Sequence, residues 1–371
     1  MKLLTVKPDI YRFERNRDFV EEFQIGLGDL ILTNAFIYEP FFGGMDIGAE
    51  VIYLDQYGQG EPSDEIAEVI FHDIGSKSFR RVVGIGGGTV LDLAKIFVLK
   101  TVMPICDLFD RKINIVKDKE LVLVPTTCGT GSEVTNISIL ELKSRHTKKG
   151  LIADELYADS AVLIPELLER LPFRFFATSS IDALIHAVES SISPKANSFT
   201  TQFGYPAIEV ILRGYRQIMQ QGEAARMPLL GDFLTASTFA GIAFGNAGCG
   251  AVHAMSYPLG GKYHVPHGEA NYALFIEIFK TYMKKSSTGR IASLNERLAT
   301  SLDCPIDQVY DELESLLDII LPRKPLREYG VIESDLISFT HNVINVQTRL
   351  MANSFVPLDE HDVLAIYRNL F

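Results

Sequence analysis

The chain has few cysteines and no dense run of positive charge, and both absences narrow what it can be. Its four Cys (Cys106, Cys128, Cys249 and Cys304) form no CxxC pair and show no even spacing, so reduced cytosolic thiols are expected rather than disulfides. No cluster of Lys or Arg interrupts a net charge of −12 and a pI near 5.2, which argues against a nucleic-acid surface. The opening residues MKLLTVKPDI have too short an apolar run, and reach charge too soon, for a signal peptide. From Phe233 to Gly261 charge is missing altogether, over a length that would span a bilayer. Six Gly, with Asn246, His253 and Pro258, dilute that stretch, so two buried helices around a Gly-rich break are expected, and no membrane partner. No internal repeat or low-complexity tract is present.

What remains is an ordinary globular composition, 47% hydrophobic and 22% charged, in 371 residues, more than one core usually supports. Two domains are expected, residues 1–177 and 178–371, meeting across a short join that should make a ligand cleft. In the first, Leu30–Asn34, Val51–Asp55, Arg81–Ile85 and Leu121–Pro125 are near-continuous apolar runs, as parallel strands buried on both faces require. Ile66, Val69, Ile70 and Ile74 recur at helical spacing after a capping Ser63, so strand and helix alternate in an α/β sheet. In the second, helical segments over 178–192, 205–220, 228–244, 267–284, 290–302, 306–320, 333–350 and 359–370 predict an all-helical domain.

Two glycine-rich turns end adjacent predicted strands. Gly84-Ile-Gly86-Gly87-Gly88-Thr89 opens a helix, where bare backbone and free N–H groups favour an anion. Thr89 and Asp92 also make a capping-box-like pair there. The second turn, Pro125-Thr126-Thr127-Cys-Gly-Thr130-Gly-Ser-Glu133, offers hydroxyls and accessible N–H groups, and the pair suits a dinucleotide lying across both. Farther on, Asp182 and His186 are four apart and share one helix face, and His253 and His267 follow. One carboxylate with three imidazoles suits a borderline divalent ion, iron(II) or zinc.

GGGTVLDLAK, PTTCGTGSE, DALIHAVE and GAVHAMSYPLGGKYHVPHGEAN occur in this order, and together the chain resembles the iron-containing alcohol dehydrogenase family over nearly its whole length. The resemblance implies a Rossmann-like α/β domain followed by a helical domain (the dehydroquinate synthase-like architecture), in a cytoplasmic homodimer or higher homo-oligomer. It implies NAD, with NADP open, beside one divalent metal on Asp182, His186, His253 and His267. It places Gly86, Gly87, Gly88 and Thr89 at the pyrophosphate, Thr126, Thr127 and Thr130 against the cofactor, and Lys149 near the nicotinamide-side ribose.

The implied reaction is metal-assisted hydride transfer from an alcohol carbon to the nicotinamide. Within the family, PTTCGTGSEVTN, RHTKKG and YHVPHGEAN point to the branch that oxidises 4-hydroxybutyrate to succinate semialdehyde. A neutral alcohol or diol (1,3-propanediol, butanol) is the alternative, and after it a dehydroquinate synthase-like elimination. For the substrate carboxylate the candidate cations are Lys262 and Arg145. Two departures from the family pattern stand out. Asn34 occupies the strand end where Asp commonly meets the adenosine ribose, removing the charge that disfavours NADP. Tyr257 replaces the second His of an H-x-x-x-H pattern, leaving His267, Tyr257 and His264 as the catalytic candidates.

Overall fold

The computed structural model describes residues 2–58, 62–75, 77–145 and 147–371, and the chain divides into two compact units. One is Val6–Leu171; the other joins Met1–Thr5 to Pro172–Phe371.

In Val6–Leu171 the four apolar runs become strands β2 (Asp29–Thr33), β3 (Glu50–Tyr53), β4 (Arg81–Gly86) and β5 (Glu120–Pro125). They join β1 (Asp9–Arg12) and β8 (Ser160–Leu163) in one parallel sheet of order β1-β8-β5-β4-β2-β3. The two outer additions escape a pattern reading for physical reasons: every residue of β1 is exposed, and β8 is only four residues long. An antiparallel hairpin, β6 (Ile137–Leu142) with β7 (Thr147–Ile152), also departs from the expected alternation.

Helices α1 (Asn16–Glu22), α2 (Ala35–Phe42), α3 (Asp64–Ile74), α4 (Gly88–Phe97) and α5 (Ile105–Phe109) complete this unit. Ser63 caps α3 as expected, its Oγ accepting from the Ile66 N–H at 3.2 Å. Val69, however, turns outward (53% exposed), and Ala67 packs inward beside Ile70 and Ile74. The core lies between the sheet and α3 to α5, with Leu30, Leu32, Val82, Leu121 and Leu123 meeting Leu91, Ala94 and Leu108.

The second unit is helical, and among its described residues no strand pairs. Its elements are α6 (Phe173–Ile192), α7 (Thr201–Gln221), α8 (Leu230–Ala247), α9 (Ala251–Tyr263), α10 (His267–Lys285), α11 (Arg290–Leu302), α12 (Val309–Ile320), α13 (Glu333–Asn345), α14 (Thr348–Met351) and α15 (Glu360–Leu370). α6 packs against α7, α8 and α10 and is buried on every side from Ser180 to Ile192. Its Ile181, Leu184, Ile185, Val188 and Ile192 are all at most 2% exposed. Together they contribute roughly 7–15 kcal/mol of burial, which offsets the cost of sinking Asp182, His186 and Glu189 in the same helix.

The charge-free stretch forms α8, a break at Gly248–Gly250 and then α9, and the residues of α8 are mostly buried. The break needs glycine: Gly248 has φ +79°, and a Cβ there would sit 2.5 Å from Asn353 Nδ2. The helix expected over 333–350 stops at Asn345, and α14 follows as a separate turn.

Candidate metal centre and nucleotide turns

Helical periodicity sets the first half of the candidate centre. Asp182 and His186 lie one turn apart on α6, 3% and 6% exposed at the side chain, with His186 Nδ1 3.9 Å from Asp182 Oδ2. His253 enters from the first turn of α9 and His267 begins α10, each with Nε2 3.9 Å from Asp182 Oδ1. The donor atoms of all four residues lie within 4.8 Å of one another. Stacking holds His186 between Phe244 (centroids 4.2 Å) and His253 (4.6 Å), and the His267 ring lies tilted against His253 at 5.4 Å. Three of the four donors are buried, whereas the His267 side chain is 34% exposed, so a small molecule reaches the cluster on that side.

Whether these donors suit a cation is tested by Asn271, one turn beyond His267 on α10 and fully buried. Its Nδ2 stands 2.7 Å from Asp182 Oδ1, 3.1 Å from His253 Nε2 and 3.2 Å from His267 Nε2. An amide carries two hydrogens and cannot serve three acceptors, and Asn271 Oδ1 is itself buried without a partner among the described residues. Lone pairs converging on one point, with an orphaned carbonyl beside them, are what a divalent ion satisfies and an amide does not. Burial pushes the Asp182 carboxyl up, but the neighbouring His186, His267 and His253 and the Asn271 amide outweigh it and hold the carboxyl below its ordinary value.

Two supporting residues carry no role in a sequence reading. Glu189 sits one turn after His186 on α6; its Oε2 lies 2.6 Å from His253 Nδ1, while Oε1 accepts from the Val252 N–H at 2.8 Å. With Nδ1–H donating to Glu189, His253 Nε2 is left as a lone pair facing Asp182. Cys249 adjoins the same pair, but burial pushes its thiol up, and His253 Nδ1 is already committed to Glu189. The spacing signal was present in both cases: Glu189 lies seven residues after Asp182 and Asn271 four after His267, on the same helix faces. Replacing Glu189 with Gln is expected to weaken metal retention about 10–100-fold while the fold persists. Competition with a chelator followed by metal analysis measures it, and unchanged retention would remove this role.

The structure brings Tyr257 to the cluster, its ring 6.2 Å from His267. Burial pushes the Tyr257 phenol up, against the lowering fields of His253 and Arg349. His264 is exposed in the left-handed turn that ends α9 (φ +52°), and among the described residues it shares no ring contact with the three histidines. Lys262 is engaged elsewhere: its ammonium pairs with Asp335, which also accepts from the Tyr263 hydroxyl.

In the sheet unit, Gly87 leads β4 into α4, and Thr126 N–H bonds to Gly86 O at 3.0 Å, tying the two glycine turns together. At Gly88 a Cβ would stand 2.8 Å from Thr130 Cγ2, so only glycine admits this approach. At Gly87 the nearest atom would be Thr127 Cγ2 at 3.5 Å, an ordinary contact that leaves the front of the turn open. Among the described residues no side chain accepts from the first-turn N–H groups of Gly88 and Thr89, so the helix start is free to take an anion.

The expected pairing of Thr89 with Asp92 does not form. Asp92 instead accepts from Ser132 Oγ and from the Ile139 N–H at 2.9 Å, because α4 starts at Gly88 with Gly87 as its cap, which leaves Thr89 inside the first turn rather than at the capping position. Lys95 is fully buried; its Nζ donates to Ser132 Oγ at 2.7 Å and Ile137 O at 2.6 Å, and lies 3.4 Å from Asp92. Lys149, on β7, gives its ammonium to Asp110 at 2.7 Å, and Arg145 clamps the same carboxylate with two 2.8 Å bonds. Asn34 caps nothing with its side chain, which donates to Asp55 at 3.3 Å.

Comparison with known proteins agrees with this arrangement. Residues 19–165 match the family described as iron-containing alcohol dehydrogenase, and residues 176–371 match its C-terminal part. The chain is 52% identical, over all of both chains, to a 4-hydroxybutyrate dehydrogenase of Clostridium kluyveri. It is 37% identical to long-chain-alcohol dehydrogenase 1 of Geobacillus thermodenitrificans over 84% of this chain and 80% of that one. Solved structures with the same fold include a 1,3-propanediol oxidoreductase (TM-score 0.83, 23% identity, all of both chains). Another is the sulfoacetaldehyde reductase of Bifidobacterium kashiwanohense in complex with NAD+ (TM-score 0.84, 21% identity, 99% of this chain and 98% of that one). Matched over both units, and carrying the four convergent donors and the paired glycine turns in one chain, this protein belongs to the iron-containing alcohol dehydrogenase family.

Proposed function

We propose that the protein catalyses the reversible NAD-dependent oxidation of 4-hydroxybutyrate to succinate semialdehyde. The observation that carries the substrate is the 52% identity, from end to end, with a dehydrogenase named for it. Asp182, His186, His253 and His267 would hold one divalent ion, iron(II) by preference and zinc(II) as the alternative; the first-turn amides of Gly88 and Thr89, with Thr127 and Thr130 beside them, would hold the nucleotide. When bound, the ion supplies Lewis acidity toward the substrate oxygen and the nicotinamide accepts the hydride. Glu189 keeps the His253 lone pair directed inward. His267 stands at the accessible edge, and Tyr257, whose ring lies 6.2 Å from it, would orient the substrate oxygen by donating a hydrogen bond.

The substrate carboxylate needs a cation, and Lys262 and Arg145 are already paired with Asp335 and Asp110. We assign it to Arg349. This residue lies on α14, which packs against α9, and the chain that follows holds Asn353 O and Ser354 Cα 3.2 and 3.3 Å from where a Gly250 Cβ would be. Arg349 is exposed on the turn that packs against α9, the helix that carries Tyr257, and among the described residues no carboxylate pairs with it.

The test is anaerobic. The protein is reconstituted with iron(II), given NAD or NADP, and nicotinamide absorbance is followed with 4-hydroxybutyrate, 1,3-propanediol and 1-butanol. A clear preference for 4-hydroxybutyrate is expected; equal rates on the neutral alcohols would discard the substrate, and no reduced cofactor with any of them would favour an elimination chemistry. In Arg349→Met, the KM for 4-hydroxybutyrate should rise about 10–100-fold, the worth of one charged hydrogen bond, with little change for 1,3-propanediol. An equal change for both substrates would remove the carboxylate role.

A further inference from the structure

The strand order places β2 beside β4, which carries the first glycine turn, and β3 on the far side of β2. In dinucleotide folds the acid that accepts from the adenosine ribose 2′-hydroxyl follows the glycine turn by about 20 residues; here β2 and β3 precede the turn in sequence, and it is the strand order that brings the end of β2 beside it. The end of β2 offers only the neutral Asn34. Asp55 follows β3, in the next turn of the chain, and its side chain reaches across to the end of β2. Its Oδ1 accepts from the Ala35 N–H at 2.8 Å and from Asn34 Nδ2 at 3.3 Å. Among the described residues, Asp55 Oδ2 has no hydrogen-bond partner and no Lys or Arg pairs with this exposed carboxylate. A negative charge thus stands beside Asn34, anchored through one oxygen to the start of α2 and presenting the other.

We propose that Asp55 determines the nucleotide preference of this chain, accepting from the adenosine ribose and excluding the 2′-phosphate of NADP. The inference rests on the reading that the glycine turns of this unit take a dinucleotide. A 2′-phosphate carries about −1.5 to −2 charges, and about 5 Å from a carboxylate the repulsion amounts to roughly a tenfold loss of affinity at the dielectric constant of water and more than about a thousandfold at an effective value of about 20. Asparagine at position 55 keeps the Oδ1 acceptor and the anchor to Ala35 while removing the charge.

The experiment is calorimetric titration of NADH and NADPH, which needs neither metal nor substrate. The unaltered protein is expected to bind NADH at least tenfold more tightly than NADPH. Asp55→Asn should weaken NADH severalfold, tighten NADPH about tenfold and so close most of the gap. The double variant Asn34→Asp/Asp55→Asn should restore the preference, because the charge returns to the neighbouring strand end. Circular dichroism and the retained NADH binding verify that the variants fold. If Asp55→Asn leaves the NADH-to-NADPH ratio unchanged, or the unaltered protein binds both equally, the role of Asp55 is refuted while the dinucleotide reading stands. If the unaltered protein binds neither, the dinucleotide reading itself fails, and this inference with it.

Discussion

Asp182→Asn is expected to leave the purified protein nearly free of metal and to lower kcat/KM on the order of a thousandfold after reconstitution. Asp182 is the one anionic donor of the four, stands 3.9 Å from a ring nitrogen of each histidine, and is almost entirely buried. Asparagine preserves its shape and removes its charge, so three neutral imidazoles alone would have to compensate a divalent ion in a poorly hydrated pocket. Residues that merely support a ligand typically cost 10–100-fold in metal affinity, and a direct charged donor should exceed that. Metal content after gel filtration and anaerobic turnover measure the two effects together. A variant with full metal and full turnover would dissolve the ligand assignment, and one with full metal but no turnover would move Asp182 to another role. Glu189→Gln should show the milder loss, so the two variants rank a direct donor against its support.

Lys95→Met is expected to have the second largest effect, on both stability and nucleotide binding. Nothing of the Lys95 side chain is exposed, and it ties α4, which begins at the first glycine turn, to Ser132, Thr135 and Ile137 beyond the second. Burial pushes its ammonium down, while the nearby Asp92 carboxylate works in the other direction. Removing the cation alone leaves Asp92 and the Ile137 carbonyl without it, at a cost of about 3–5 kcal/mol for one partner of a buried pair. The two turns also lose their common anchor, so NADH affinity should fall at least about tenfold, the scale of one or two kcal/mol of lost preorganisation. Urea unfolding and calorimetric titration read these separately. In Lys95→Met/Asp92→Leu stability should recover in part, because the unpaired carboxylate is gone, but nucleotide binding should not. Unchanged urea midpoint and unchanged affinity in the single variant would show the network to be incidental.

Much of the site was legible because some of its relations are short in sequence. Asp182 with His186 obeys the four-residue rule of a helix face, and the glycine turns sit at predictable strand-to-helix junctions. Glu189 and Asn271 followed the same rule, but a residue that holds a ligand is chemically silent in sequence: nothing separates a Glu that orients a histidine from one on a solvated face. Lys262 and Arg145 show the reverse failure. Each looked available for a carboxylate, and each is paired with an aspartate 73 or 35 residues away. The Thr89–Asp92 pair failed for a different reason: the helix starts at Gly88 with Gly87 as its cap, so Thr89 lies inside the first turn and caps nothing.

The sequence by itself determined the α/β and helical halves, the four metal donors as candidates, and the order of the glycine turns. These follow from periodicity and from residue chemistry that acts within a few positions along the chain. Only the tertiary structure decided which charges are already spoken for, which histidine faces a carboxylate, and which acid stands at the end of β2. Asn34 reads as a lost negative charge, yet Asp55 returns one, 21 residues later, because β3 lies alongside β2 in the sheet. Electrostatic preference depends on distance in space, and strand order sets that distance.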